Sequence, residues 1–386
     1  MWVIKENIKI IFFRIIFKFF WLFPLKDQIF FSSYEGKQIS GNPKILFENM
    51  INLEEFKKYL FVWESNKSEI NGFNKKSVVY VKHNSLSYIF NILTSRILIT
   101  NSGLNPIFPL RKKQIYINTW HGGGAYKRVG TAVNQKINGS SYYSLKVSSK
   151  QTTYLLSSSK MFSNIMSESI MIEKNKILPY GMPRNDIFFD HLKVKYYYEI
   201  TRKTLKIDKN IKIILYAPTF RSNDQYDNIE RLDLSKMIQN LEKKFGNKWV
   251  FLYRGHYHSK DSLNKKNCVD VSNYPEMQEL LCAADILITD YSSSIWDFSF
   301  LKRPCFLYVP DLKKYEKERN FYTDIEEWPG IIINNNNEIP KVISNFNYDI
   351  FLEKIISHHK KLINYENGTA STRLINLLRK IGDDKY

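Results

Sequence analysis

Apolar residues come in short unbroken runs along most of the chain, separated by stretches in which apolar positions recur at helical spacing. The runs predict strands at Ile29–Ser32, Tyr59–Trp63, Ser77–Val81, Ile97–Thr100, Gln114–Asn118 and Thr153–Ser157. The series continues with Ile211–Ala217, Trp249–Tyr253, Cys268–Val271, Ile286–Thr289, Cys305–Val309 and Ile331–Ile333. Rich in Ile, Val, Tyr and Phe and bounded by polar, Gly or Pro residues, these runs suit parallel strands buried on both faces. Helical patterns lie between several of them, as at Pro43–Ile51, Leu232–Phe245 and Pro275–Cys282. Alternation of strand and helix in both halves predicts two doubly wound, Rossmann-type α/β domains. The charged segment His191–Asn210 is the best boundary, giving an amino-terminal segment 1–26 and domains 27–195 and 196–386.

The opening segment breaks the pattern. Ile4–Lys26 is apolar but interrupted by Lys5, Lys9, Arg14 and Lys18, whose spacing places them near one helical face. A secretory signal keeps its charges at the start and ends in a small-residue cleavage site, and neither holds here. A spanning helix needs roughly 20 mostly uncharged apolar residues. The segment therefore predicts a basic amphipathic helix lying in an anionic leaflet, with a core or partner-binding helix, or a true span anchored by snorkelling lysines, as the alternatives.

Composition narrows the class. The 386 residues are 44% hydrophobic and 15% aromatic, which excludes a disordered chain. Cys268, Cys282 and Cys305 are too few and too scattered for a disulfide framework or a CxxC zinc site, and suit a reducing compartment. A net charge of +19 leaves nucleic acid, an anionic membrane or a phosphorylated substrate as partners. The basic runs lack the interleaved aromatics of a single-strand nucleic-acid channel, so nucleic acid is set aside.

The candidate chemistry follows the strands, where an open α/β sheet places its ligands. After Gln114–Asn118 comes Thr119-Trp-His121-Gly122-Gly123-Gly124. A strand-end imidazole can take a proton from an attacking hydroxyl, and the glycines permit positive φ and close approach of a substrate. Lys127 and Arg128 follow and either face anions or belong to the general basic surface. A second strand delivers Arg254, Gly255 and His256; arginine forks onto phosphate oxygens and histidine donates to them. His256-x-His258 has no carboxylate or thiol at ligand spacing, so no metal is expected there. A third strand ends at Asp290, the expected support of its loop, followed by Ser292, Ser293 and Ser294 opening a helix whose amino terminus suits an anion. Arg184, in Tyr180–Asp186, and Thr219 and Arg221, after Leu215, are further candidates for substrate contact.

These residues carry a resemblance. TWHG (119–122), GMPRND (181–186), LYAPTFR (215–221), YRGH (253–256), ITDYSSSIWDF (288–298) and LKRPCFLYVPDLKKYEKERNFYTD (301–324) run in order. Together they resemble the CDP-glycerol glycerophosphotransferase family of teichoic-acid and capsule enzymes. The resemblance implies the GT-B architecture, two Rossmann-type domains facing a cleft, with a monotopic helix on the cytoplasmic face of the membrane. It implies transfer of glycerol or ribitol phosphate from a CDP-alditol to a hydroxyl of a lipid-linked or polysaccharide acceptor. His121 is then the base and His256 a second catalytic histidine. Arg254, His256 and Ser292–Ser294 hold the donor diphosphate, and no cofactor or essential metal is expected. No Asp-x-Asp occurs in the chain. Departures from the family pattern are Tyr257 for a proline, Asn320 for a glycine, and Gly123-Gly124-Ala125 for Thr-Pro-Leu. They flank the acceptor side and the distal loop. The alternative is a GT-B glycosyltransferase using a nucleotide-sugar.

Overall fold

The computed structural model describes residues 2–66, 78–133, 139–219, 229–255 and 268–383. The chain divides into two compact units: Met1–His121, Val129–Asp186 and Asn364–Tyr386 form the first, and Gly122–Arg128 and Ile187–Ile363 the second.

The first unit is built on β1 (Lys26–Ser32), β2 (Leu60–Glu64), β3 (Val78–Val81), β4 (Ser95–Thr100), β5 (Ile115–Asn118), β6 (Tyr154–Leu156) and β7 (Ile177–Leu178). All pair in parallel, in the order β3-β2-β1-β4-β5-β6-β7. The second contains β8 (Ile211–Tyr216), β9 (Lys248–Tyr253), β10 (Cys268–Asp270), β11 (Ile286–Thr289), β12 (Cys305–Tyr308) and β13 (Ile331–Ile333). Its parallel order is β10-β9-β8-β11-β12-β13. Each order runs outward from the first strand and then reverses, the doubly wound topology with one switch point per sheet. The central runs are buried throughout, as in β11 and β12. In the first unit Phe31 stacks on Phe61 and Trp63, with ring centroids 6.0 and 5.1 Å apart. Every predicted run overlaps an observed strand, although Ser77 lies outside the described residues. The two-residue β7 is additional.

The units differ from the division expected at residues 195 and 196. His191–Thr204 is a helix of the second unit, capped by Asp190, whose carboxylate accepts from Leu192 N (3.0 Å) and Lys193 N (3.1 Å). Its charges lie on a solvated helix face. The terminal stretch Asn364–Tyr386 returns to the first unit, where one buried and one half-buried polar cluster hold it. Glu366 accepts from Met182 N (2.8 Å) and Asn185 Nδ2 (3.1 Å). Asp186 accepts from Ala370 N (2.9 Å) and Ser371 N (2.8 Å).

The opening segment forms α1 (Trp2–Phe17) and a 3₁₀ turn, Lys18–Leu22. Among the described residues no helix is long and apolar enough to cross a membrane. Ile10 and Phe17 are buried, and Phe17 stacks on Phe108. Arg14, expected on the basic outer face, turns inward. It donates to the carbonyls of Pro106 (2.7 Å) and Phe108 (3.2 Å) and to the Gln151 amide oxygen. A partly buried guanidinium needs such acceptors. Lys9 and Lys18 stay exposed, together with a strip of large apolar side chains: Ile8, Phe12, Ile15, Phe19 and Leu22.

Candidate active site

β5 ends at Asn118, whose side chain accepts from Trp120 N (2.9 Å), while Thr119 N donates to Thr100 O (2.8 Å). The chain then turns at Trp120 with φ +55°, a left-handed conformation costing a non-glycine residue roughly 1–2 kcal/mol. Two buried residues of the same unit hold the turn. Asn42 Nδ2 donates to Thr119 O (3.2 Å) and Trp120 O (2.9 Å), and Asn42 Oδ1 accepts from Arg184 N (3.0 Å). Arg184 Nη1 donates to His121 O at 2.6 Å. Arg184, expected to face substrate, is 6% exposed and supports the histidine loop.

The imidazole of His121 is exposed and stacked on Trp120, with centroids 5.1 Å apart. Its Nδ1 lies 2.9 Å from Asn101 O. A carbonyl only accepts, so Nδ1 carries the proton and Nε2 of the neutral ring keeps its lone pair. This is the tautomer a general base needs.

In the second unit the chemistry gathers on the carboxyl ends of three neighbouring strands, β9, β8 and β11, spanning the switch point between β8 and β11. Arg254 follows β9, partly buried, its N–H on Tyr216 O (2.9 Å). Gly255 N donates to Ser272 Oγ (3.0 Å). Thr219 follows β8 and donates through N (2.9 Å) and Oγ1 (2.7 Å) to the Asp290 carboxylate. Asp290 also accepts from Tyr291 N at 2.6 Å, so it ties the β8 and β11 loops together. Thr219, expected near substrate, is thereby engaged in the scaffold. Ser292 Oγ accepts from Ser294 N (3.2 Å) and Ser294 Oγ (3.0 Å). Ser293 precedes the six-residue helix Ser294–Ser299 without a side-chain capping bond. That helix is short, so its dipole is correspondingly modest. His256 and Arg221 lie outside the described residues.

The glycines after His121 serve packing. A Cβ on Gly122 would lie 2.7 Å from Ser293 Oγ, and one on Gly123 would lie 2.1 Å from the Trp296 ring. The group brought close is therefore the protein's own helix, rather than the substrate expected. Tyr126 anchors the same segment, packed 4.3 Å from Trp328 and with its hydroxyl hydrogen-bonded to His358 Nε2 (3.0 Å). Arg128 Nε donates to Phe321 O (3.1 Å). Asn320, in the place of a glycine, takes φ +61°, a conformation asparagine tolerates better than most residues. His358 and His359 sit behind this loop, and burial pushes both imidazoles down to about 4.

Two doubly wound sheets, one ending in an exposed histidine and the other in an edge of arginine, threonine and serine, define a two-Rossmann transferase. The sequence matches the CDP-glycerol:poly(glycerophosphate) glycerophosphotransferase family over residues 15–380, and the chain belongs to that family. It is 30% identical to the teichoic acid poly(glycerol phosphate) polymerase of Bacillus spizizenii, across 94% of this chain and 95% of that one. It is 29% identical to the teichoic acid glycerol-phosphate transferase of Staphylococcus aureus, across 94% and 96%. It spans only 49% of the corresponding polymerase of Bacillus subtilis. A histidine-to-asparagine variant of the wall teichoic acid polymerase TagF, soaked with CDPG, superposes with a TM-score of 0.82 at 26% identity, covering 99% of this chain and 98% of that one. The protein is thus a phosphotransferase of the CDP-glycerol class with a TagF-like fold.

Proposed function

We propose that the chain transfers glycerol phosphate, or a related alditol phosphate, from a CDP-alditol to a hydroxyl of a growing teichoic-acid-type acceptor. The observation that carries the reading is the His121 tautomer, fixed by Asn101 O with Nε2 left basic. Nε2 takes the proton of the acceptor hydroxyl. The oxygen forms a bond to the alditol-bearing phosphorus, the bond from that phosphorus to the bridging oxygen breaks, and CMP departs with the electron pair. His121 then releases its proton to solvent. Arg254 and the Ser292–Ser294 loop are the groups offered to the diphosphate, a preorganised electrostatic contribution. The reading gives no step to a metal. His256 adjoins Arg254 in sequence and belongs to the same proposal.

Work on a membrane-linked acceptor is supported by the exposed strip Ile8, Phe12, Ile15, Phe19 and Leu22, flanked by Lys9 and Lys18. Such a strip suits burial at the headgroup boundary of an anionic leaflet and supports our reading of a peripheral protein on the cytoplasmic face of the membrane. The test is mass analysis of products formed from CDP-glycerol or CDP-ribitol with a lipid-linked acceptor. Acceptor extended by one or more alditol phosphates, with CMP released, is expected. Transfer from nucleotide-sugars alone would refute the reading.

A further inference from the structure

The switch point of the first sheet, between β1 and β4, holds a second polar cluster. Leaving β1, the chain passes through Tyr34, Glu35 and Gly36, all left-handed, and enters α2 (Gly41–Met50) at Gly41 with φ +66°. Ser40, the cap residue, makes no side-chain bond to the helix; its hydroxyl donates instead to Gln38 Oε1 (3.3 Å). Asn101 follows β4 and is 1% exposed. Its Oδ1 accepts from Tyr34 N (2.8 Å) and Ser102 Oγ (3.0 Å), while its Nδ2 has no hydrogen-bond partner among the described residues. A Cβ on Gly41 would lie 3.6 Å from the Tyr34 hydroxyl and 3.7 Å from Asn101 Nδ2. The helix terminus, a phenol and an orphan amide thus converge on a glycine that keeps a side chain out.

We propose that this cluster binds the phosphate of the acceptor's terminal alditol phosphate. A buried N–H without a partner carries a free-energy penalty that a ligand oxygen removes. Donors of several kinds meet there, and a helix amino terminus favours an anion over a neutral polyol. The backbone carbonyl of Asn101 also holds His121, and the Tyr34 and His121 rings lie 6.2 Å apart. A short alditol anchored here by its phosphate directs its free hydroxyl toward the base. The proposal rests on the reading of His121 as that base, and makes Asn101 and Tyr34 the residues that select a phosphorylated acceptor.

The test uses the full chain with glycerol 3-phosphate as probe, titrated without donor, and then acceptor kinetics with CDP-glycerol. Wild type should bind glycerol 3-phosphate, and glycerol should not compete. Asn101→Asp keeps the acceptor for Tyr34 N but turns an acceptor toward the phosphate. Its Kd for the probe and its acceptor KM should both rise about 10-fold or more, with affinity for CDP-glycerol unchanged. Tyr34→Phe removes one hydroxyl and should raise both constants by a smaller factor, which tests the site even if the buried aspartate fails to fold. No binding of the probe to wild type, unchanged constants in folded variants, or a rise in donor Kd instead would overturn the proposal. Probe binding lost in the variants, without CDP-alditol turnover by wild type, would leave the phosphate site standing and remove the phosphotransfer reading.

Discussion

The support of the histidine loop makes a quantitative prediction. Asn42→Ala removes two donors to buried carbonyls, Thr119 O and Trp120 O, and the acceptor for Arg184 N. A buried group left unpaired costs about 1–3 kcal/mol, and with partial relaxation the three losses should total roughly 2–4 kcal/mol. For a unit of this size each kcal/mol lowers Tm by roughly 2–4 °C, so a fall of about 5–15 °C is expected. The left-handed Trp120 turn is what these bonds hold, so the loop relaxes once they go. A base displaced by about 1 Å costs on the order of 100-fold in rate. The assay pairs thermal unfolding with kcat measured well below the variant's Tm, so that loss of fold and loss of placement separate. Asn42→Asp keeps the acceptor for Arg184 N and should fall between wild type and alanine in stability. A folded Asn42→Ala protein with wild-type Tm and kcat would refute the argument.

His121→Ala should lower kcat by roughly 10²–10⁴ while calorimetric affinity for CDP-glycerol holds, because the base acts on the acceptor. Arg254→Ala should weaken CDP-glycerol binding about 10- to 150-fold and Arg254→Lys should recover only part, with turnover persisting in EDTA; Mg²⁺-reversible loss in EDTA with unaltered Arg254→Ala affinity would contradict this. Replacing Ile8, Phe12 and Ile15 by Glu should abolish sedimentation with anionic liposomes without lowering Tm, since each residue is exposed and would contribute about 1.5–3 kcal/mol on burial in lipid. The buried pair His358 and His359 sets a pH dependence: their folded values near 4 lie below the ordinary 6.5, so the unfolded chain binds more protons in between. Their stabilising contribution is complete above pH 6.5, is lost as pH falls toward 4, and stays constant below; a Tm that does not fall across that window would contradict the assignment.

The strands were legible because parallel strands buried on both faces leave unbroken apolar runs, and β11 and β12 could hardly be read otherwise. The two-residue β7 carries too little pattern to register. His121, Arg254 and Asp290 announced themselves as polar residues ending such runs. Asn42 and Asn101 did not, since an asparagine in a helix's first turn or after a strand is ordinarily a cap or a bend. Their roles depend on carbonyls and amides far away in sequence. At Gly122 and Gly123 sequence shows that space is kept, and not that Ser293 and Trp296 lie against it. Arg14 was placed on the outer face by spacing alone, whereas its acceptors belong to residues some ninety and more positions downstream.

The return of Asn364–Tyr386 to the first unit has a consequence for biosynthesis. A chain emerging from the ribosome offers β1 to β7 long before Glu366 exists to accept from Met182 N and Asn185, or before Ala370 and Ser371 can meet Asp186. The amino-terminal half must therefore wait, with these polar groups hydrated, while the whole of Ile187–Ile363 is translated and free to fold. The second unit, whose remaining piece Gly122–Arg128 is already made, can be complete first. The order of synthesis and the order of completion are thus reversed. A released fragment ending at residue 363 should display a protease-resistant carboxyl-terminal unit beside an unfinished, cleavable amino-terminal one.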